Sequence, residues 1–202
     1  MSSFIIFTAS ITLVLISILP LSTAYIYPWA PVDIDGDFII NEAEYYIIPI
    51  NTTSGLTYTQ KREVCPLYIT PEKTENSPGT PVKISIPVIS IVIALDIPIV
   101  LNFKGPTPCN ESLIWRQTLD PLSRKLYFTT GGVSTLPIPQ PFFITKTDKS
   151  LKRMYELKFS PTPWAEEIFN VGIHEDGLLG ITEYPTTVYF KKAFDVLGVS
   201  TS

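Results

Sequence analysis

The densest run of side chains that could bind a metal begins at Asp33. Asp33, Asp35 and Asp37 alternate along the chain and Glu44 stands at the twelfth position, which is the carboxylate spacing of a helix-flanked calcium loop. Such a loop needs glycine at its sixth position, where this chain has Phe38. The residues after Glu44 are typical of a strand rather than a helix. We therefore predict no calcium site and no other metal centre.

Catalytic side chains are sparse in the rest of the chain. The sole histidine, His174, has neither a cysteine partner nor a serine in a nucleophile-elbow context, and its neighbours Glu175 and Asp176 indicate a turn. Zinc-binding, redox and phosphate-binding motifs are also missing from the sequence. Catalysis by two carboxylates stays open, because sequence alone does not place them in space. We otherwise predict a protein that is not an enzyme and needs no cofactor.

The elements that would position any site are predicted to be strands. Short segments rich in β-branched and aromatic residues are bounded by Pro, Gly, Asn, Ser or Thr, at spacings that favour a barrel or sandwich. The best helical candidate, Trp164–Phe169, is too short to set the class. The predicted strands include Tyr45–Ile48, Pro66–Ile69, Val82–Ile86, Ile97–Phe103, Leu126–Phe128, Phe142–Ile144 and Val188–Phe190. The prediction is an all-β chain.

The first 24 residues have the pattern of a signal peptide. An uncharged apolar run from Phe4 to Leu21 precedes the small residues Ser22, Thr23 and Ala24, although the segment before the run lacks Lys and Arg. The alternative is a membrane anchor, which the polar interruptions and Pro20 disfavour. Residues 25–202 are predicted to form one domain, secreted to an extracellular or vacuolar location.

Other residues agree with passage through the secretory pathway. Asn51 and Asn110 each begin an acceptor sequon for N-glycosylation in a polar segment. The two cysteines, Cys65 and Cys109, are compatible with one disulfide or with two buried thiols, and the leader favours the disulfide.

The net charge of −4 and the lack of charge runs argue against a nucleic-acid partner or an acidic membrane surface. No membrane contact is predicted once the leader is cleaved.

Several motifs resemble, in their order and spacing, those of the Kunitz (soybean trypsin inhibitor) family of plants. The likeness covers about residues 31–194, with Pro31 as a departure near its start. Each motif is weak alone, and the whole series is specific. The motifs are Asp33–Ile39, Tyr45–Ile47, Gly55-Leu56, Val64–Leu67, Leu101–Phe103, Cys109 with Trp115, Leu157–Phe159, Val171–Ile173 and Val188–Lys191.

The resemblance implies a β-trefoil, a closed barrel of about twelve strands with threefold pseudo-symmetry. It also implies a Cys65–Cys109 disulfide. The second disulfide of the family is missing, because Ser160 and the neighbourhood of Ile168-Phe169 occupy its positions. The expected state is a monomer whose partner is a target protease.

The resemblance further implies a reactive loop that enters a protease active site as a substrate does. Alignment places the presented bond at Ile89–Ser90, and the family's loop-supporting asparagine at Asp37. A slip in register would make Lys83 the specificity residue and trypsin the target. The predicted loop comprises Pro87, Val88, Ile89, Ser90, Ile91 and Val92.

Two functions follow from this resemblance. The first is inhibition of a serine protease other than trypsin, because Ile89 cannot pair with the carboxylate of a trypsin-type pocket. Inhibition of aspartic or cysteine proteases through another surface also stays open. The second is a non-inhibitory storage, defence or ligand-binding role on the same scaffold, which the lost asparagine, the missing second disulfide and Ile89 all suit.

Overall fold

The strands of this chain form where buried and exposed side chains alternate. β4 buries Val82 and Ile84 and turns Lys83 and Ser85 outward, and β9 alternates in the same way. The computed structural model describes residues 29–147 and 153–193, so the leader at residues 1–24 lies outside the described residues. The strands are β1 (Glu44–Pro49), β2 (Leu56–Thr59), β3 (Tyr68–Pro71), β4 (Val82–Ser85), β5 (Val100–Phe103), β6 (Arg116–Leu119), β7 (Leu126–Thr129), β8 (Phe142–Lys146), β9 (Tyr155–Phe159), β10 (Phe169–Ile173), β11 (Leu179–Thr182) and β12 (Thr187–Lys192).

The expected short helix at Trp164–Phe169 is absent. Trp164 and Ile168 are exposed, so the segment has no apolar face to bury, and Phe169 already belongs to β10. A helix this short needs tertiary packing to offset the cost of nucleation. Among the described residues, no helix has the length and apolarity needed to cross a membrane.

Six strands make the barrel. β4 pairs with β1 and β5, β12 pairs with β1 and β9, and β8 pairs with β9, all antiparallel. The ring closes between β5 and β8 at one isolated bridge, where the amides of Ile99 and Phe142 exchange hydrogen bonds of 2.8 and 3.1 Å. The barrel is therefore closed by a bridge rather than by a full ladder at this seam.

The other six strands form three hairpins across one end of the barrel. They are β2–β3, β6–β7 and β10–β11, joined by the pairs Tyr68–Thr129 and Gly180–Tyr127. Each successive group of four strands thus contributes two barrel strands and one hairpin. This arrangement confirms the predicted all-β trefoil of twelve strands.

One apolar core fills the barrel and the space beneath the hairpins. Aromatic rings from β7, β8 and β9 meet there, since Phe128, Phe142 and Phe159 lie with centroids 4.9–5.2 Å apart. Trp115 packs against Phe142 on one side and Phe103 on the other. Such edge and tilted contacts stabilise a core beyond the area that they bury.

The predicted disulfide is present. Cys65 and Cys109 are bonded with their Cα atoms 5.8 Å apart, joining the β2–β3 connection to the β5–β6 connection. Ser160, at a position of the family's missing second bridge, is buried and its hydroxyl donates to the carbonyl oxygen of Thr162. That hydrogen bond holds the start of the β9–β10 connection.

Candidate functional site

The predicted loop lies in the connection between β4 and β5, and several of its apolar side chains are exposed. Ile86 and Ile93 are buried and fix the two ends of the segment. Between them, Val88 and Ile91 are 57% and 77% exposed, and Ile89 is fully exposed. Pro87 and Ser90 are also exposed, while Val92 is half-buried. The chain therefore projects these exposed residues between two buried anchors.

The segment before β1 supports this loop through backbone hydrogen bonds. The amide of Ile93 donates to the carbonyl of Ile39 at 2.9 Å, and the amide of Asn41 donates to the carbonyl of Ile91 at 2.8 Å. Ile40 and Val92 form an isolated antiparallel bridge between these contacts. The second half of the loop, residues 91–93, thus pairs with residues 39–41 as in a short antiparallel ladder.

The side chain of Asn41 joins both halves of the loop. Its Nδ2 donates to the carbonyl of Ser90 at 3.0 Å, and its Oδ1 accepts from the amide of Ile86 at 3.0 Å. An amide can make these two contacts together because it carries both a donor and an acceptor. The Ser90 hydroxyl adds a bond to the carbonyl of Val92 at 2.8 Å. Asn41 consequently links the backbone before and after the Ile89–Ser90 bond.

These contacts correct the predicted role of Asp37. The side chain of Asp37 is exposed, and its backbone helps to close a turn in which the amides of Asp35, Gly36 and Asp37 donate to Oδ1 of Asp33 at 2.9–3.0 Å. Gly36 accommodates the positive φ of +100° that this turn requires. The supporting residue is Asn41, four positions further on.

The acidic segment as a whole forms that turn and the approach to β1. One carboxylate oxygen of Asp33 accepts hydrogen bonds from the turn amides, and Glu44 lies on β1. No group of three or more His, Cys, Asp or Glu side chains is placed to hold a metal in the part of the chain that the structure describes.

The alternative register at Lys83 does not fit the structure. Lys83 lies within β4, where it pairs with Asn102 of β5, and its Nζ forms an ion pair with Glu42. A residue in the middle of a paired strand cannot be presented as an extended substrate.

The remaining predicted residues lie away from the loop. Asn51 and Asn110 are both exposed in connections between strands, so their modification stays a prediction. His174 stands in the β10–β11 turn, where its backbone exchanges hydrogen bonds with Leu178 and Gly177 and its ring packs against Tyr127.

Comparisons with known proteins agree with this architecture. Residues 32–192 match the sequence profile of the legume Kunitz family, described as trypsin and protease inhibitors. Trypsin inhibitor 1B of Erythrina variegata is 28% identical over 172 residues, which cover 80% of this chain and 97% of that protein. The endogenous alpha-amylase/subtilisin inhibitor of Triticum aestivum is also 28% identical, over 80% of this chain and 95% of its own.

A solved structure shows the same likeness in three dimensions. The Kunitz-type trypsin inhibitor of Cicer arietinum superimposes with a TM-score of 0.71 at 26% identity, covering 82% of this chain and 99% of the inhibitor. These relatives are inhibitors and not enzymes by name. The profile spans most of the sequence, and the trefoil, the disulfide and the supported β4–β5 loop accompany it. This chain belongs to the legume Kunitz family of protease inhibitors.

Proposed function

We propose that this chain is a secreted inhibitor of a serine protease and that it presents the Ile89–Ser90 bond to the enzyme as a substrate would. The observation that carries the proposal is the fully exposed Ile89 on a loop whose two halves Asn41 holds together. A loop fixed in its bound conformation loses little entropy on association, which favours tight binding. Secretion is part of the proposal because residues 1–24 have the pattern of a signal peptide.

Ile89 sets the expected specificity. A trypsin-type pocket has a carboxylate at its base, and a neutral side chain leaves that charge buried without a partner. An apolar pocket, as in elastase-like or subtilisin-like enzymes, suits the aliphatic side chain of Ile89. The wheat relative is named as an alpha-amylase/subtilisin inhibitor, which agrees with an apolar target pocket, whereas the Erythrina and Cicer relatives are named as trypsin inhibitors. Because of Ile89, trypsin is not the expected target of the wild-type loop.

The first experiment titrates the mature protein against trypsin, chymotrypsin, elastase and subtilisin, with two variants of Ile89. We expect tight inhibition of elastase or subtilisin by the wild type. Ile89→Asp should abolish that inhibition, because a carboxylate is costly to bury in an apolar pocket. Ile89→Arg should transfer inhibition to trypsin, because the guanidinium pairs with the carboxylate in its pocket.

The matched control is Ile91→Arg. Ile91 is also exposed and lies two residues beyond Ile89. Ile91→Arg therefore places the same charge on the same loop at a different position. Ile91→Arg should not create tight trypsin inhibition if Ile89 is the presented residue. Trypsin inhibition by Ile91→Arg but not by Ile89→Arg would show that the register is displaced by two residues.

The non-inhibitory storage, defence or ligand-binding role is the second outcome of this test. The contacts of Asn41 weaken one argument for this role, the loss of a supporting asparagine, whereas the missing second disulfide and Ile89 still suit it. Failure of the wild type, of Ile89→Arg and of Ile91→Arg to inhibit any enzyme of the panel would overturn the proposed inhibition and favour the non-inhibitory role.

A further inference from the structure

An open groove borders the part of the loop that follows the Ile89–Ser90 bond. It has a volume of about 750 Å³ and is lined by Trp29 and Ala30, by Asn41 and by residues 89–94. Its two polar side chains, those of Asn41 and Ser90, already bind backbone groups of the loop. None of the described residues that line the groove is ionisable. The groove therefore offers an uncharged and mostly apolar surface to a partner.

Trp29 contributes the largest side chain to this groove. It is 51% exposed, and Ile91, which lines the same groove, is 77% exposed. Tryptophan is enriched among the residues that carry most of the binding energy of protein interfaces, because its rigid ring buries a large apolar area. Exposed apolar residues grouped in this way are typical of a surface that a protein partner covers.

Hydrogen bonds fix the segment that carries Trp29. The amide of Leu95, just beyond the loop, donates to the carbonyl of Trp29 at 2.7 Å. The amide of Val32 donates to the hydroxyl of Tyr155 at 2.8 Å, which ties the same segment to the barrel. Trp29 is thus held beside the loop before any partner arrives, and an ordered contact residue loses less entropy on binding.

The loop alone is small for the interface of a stable complex. Specific protein interfaces bury about 800 Å² on each partner and use roughly 20–30 residues a side. Loop residues 87–92 are only a fraction of that number, so a stable complex requires further contacts beside them. The groove is continuous with the loop, because Ile89, Ser90 and Ile91 themselves line it. An enzyme that receives Ile89 therefore comes close to Trp29.

We infer that Trp29 is a second contact residue for the target serine protease, and that it sets specificity on the side of the loop that follows the presented bond. This inference rests on the proposed function. Ser90 and Ile91 follow the Ile89–Ser90 bond, so the groove beside them faces the enzyme surface that holds the leaving-group side of a substrate. The groove favours proteases whose surface there is apolar. It disfavours those with a charged side chain there, which would lose its water without gaining a partner.

The test measures inhibition constants of the full mature protein and its variants against elastase or subtilisin, whichever the wild type inhibits more tightly. Trp29→Ala should raise the inhibition constant about tenfold, the effect of removing an interface residue of this kind. Trp29→Phe keeps an aromatic ring, so its inhibition constant should lie between those of the wild type and Trp29→Ala.

Trp164→Ala is the matched control. Trp164 is 82% exposed and lies in the β9–β10 connection, which leads into a hairpin. The β4–β5 connection joins two barrel strands at the opposite end of the barrel. Trp164→Ala should therefore leave the inhibition constant unchanged.

A second measurement separates contact with the enzyme from support of the loop. Trp29→Ala should not accelerate hydrolysis of the Ile89–Ser90 bond, because the loop keeps its hydrogen bonds to Asn41. Weaker inhibition accompanied by faster hydrolysis would show that Trp29 acts on the shape of the loop, and would overturn the inference.

Hydroxyl-radical footprinting tests the contact directly, because exposed tryptophan is readily oxidised. Oxidation of Trp29 should fall when the protease binds, and oxidation of Trp164 should stay as in the free protein. Protection of Trp29 in the concentrated free protein would mean that a second copy covers the groove, and would overturn the inference.

The inference and the proposed function fail in different ways. If Ile89→Asp abolishes inhibition while Trp29→Ala inhibits as the wild type does, the inference is overturned and the proposed function stands. Equal oxidation of Trp29 in the free and the bound protein has the same meaning. A wild type that inhibits no enzyme of the panel overturns the proposed function and this inference with it.

Discussion

At the scale of single residues, Asn41 links the sequence to the candidate function most directly. Its side chain spans the loop from Ile86 to Ser90, residues that are more than 40 positions away in the chain. Both of its partners are backbone groups on either side of Ile89, so the support is independent of which residue occupies position 89. The residue at position 89 can therefore change without loss of these two contacts.

Replacing Asn41 with alanine should weaken inhibition without unfolding the protein. Two hydrogen bonds of about 1 kcal/mol each would be lost, which corresponds to about a 30-fold rise in the inhibition constant. The freed loop should also be hydrolysed faster at the Ile89–Ser90 bond. Both quantities are measured with the protease that the wild type inhibits best.

Asp37→Ala is the matched control for Asn41→Ala. Asp37 is exposed and makes its turn contacts through its backbone, so its truncation should leave inhibition and loop cleavage unchanged. Equal effects of the two variants would contradict the assignment of loop support to Asn41. Asn41→Asp would retain the acceptor for Ile86 and lose only the donor to Ser90, so its effect should be intermediate.

At the scale of elements, the strands that were predictable are those with a dense apolar pattern. β1, β4, β8 and β12 each bury several β-branched or aromatic side chains, and the runs of these residues mark them. β6 carries Arg, Gln, Thr and Leu with no buried position, so it exists only because it pairs with β7. No local pattern could reveal a strand whose formation depends on its partner.

The candidate site likewise has a part that the sequence could predict and a part that it could not. The loop position followed from resemblance in the surrounding strands, whereas its support depended on which residue of a distant segment faces it. The Ile40–Val92 bridge sets that register, and it joins segments 52 residues apart along the chain. The unpaired nitrogen of Trp115 was not predictable either, because hydrogen-bond partners are identified only once the residue is located in space.

Three hairpin connections are joined by one charged cluster at the end of the trefoil. Nζ of Lys61, from the β2–β3 connection, lies 3.0 Å from Oδ2 of Asp120 in the β6–β7 turn and 3.9 Å from Asp176 in the β10–β11 turn. The Tyr127 hydroxyl donates to Asp176 at 2.6 Å, and Lys61 lies 4.1 Å from the centroid of the Tyr127 ring. The cluster therefore connects the three repeats through side chains.

Hydrogen bonds and charge set the pKa values in this cluster. The amide of Ser123, the ammonium of Lys61 and the amide of Leu122 hold the pKa of Asp120 far below its usual range, against the effect of burial. Burial alone would lower the pKa of Lys61, but its hydrogen bond to Asp120 and the nearby Tyr127 more than offset this and raise it. The folded state thus favours the ionised forms of Asp120 and Lys61.

Asp120→Asn should destabilise the protein in a pH-dependent way. The pKa of Asp120 is lower in the folded than in the unfolded chain, so its ionisation stabilises the fold above about pH 4 and that stabilisation is lost as the pH falls further. We expect a loss of about 2 kcal/mol in unfolding free energy at pH 7 and a smaller difference from the wild type below pH 4. Urea unfolding at several pH values measures both.

The exposed Asp35 provides the control as Asp35→Asn, which should leave the unfolding free energy unchanged at pH 7. A difference between wild type and Asp120→Asn that stays constant from pH 7 to pH 3 would show that Asp120 acts by shape rather than by charge.

At the scale of the whole molecule, the aromatic core connects parts of the chain that the backbone pairs only weakly. Phe142 contacts Trp115, Phe128 and Phe159, and its backbone makes the single bridge to Ile99 that closes the barrel. The seam between β5 and β8 therefore relies on side-chain packing more than on hydrogen bonds. This makes the closed barrel a property of the whole core, since the two strands that meet at this seam are the first and the last of the second group of four.

Phe142→Ala should consequently destabilise the entire trefoil and not only β8. Truncating a buried phenylalanine costs about 3–5 kcal/mol, or a fall in Tm of about 6–20 °C for a domain of this size. Trp164→Ala, which truncates an exposed aromatic residue, should change the Tm by less than about 2 °C. Thermal unfolding followed by far-UV circular dichroism and by tryptophan fluorescence should give one coincident transition for Phe142→Ala. Two separate transitions would mean that the groups of four strands unfold independently, because the loss of packing at the seam would then leave the other strands intact.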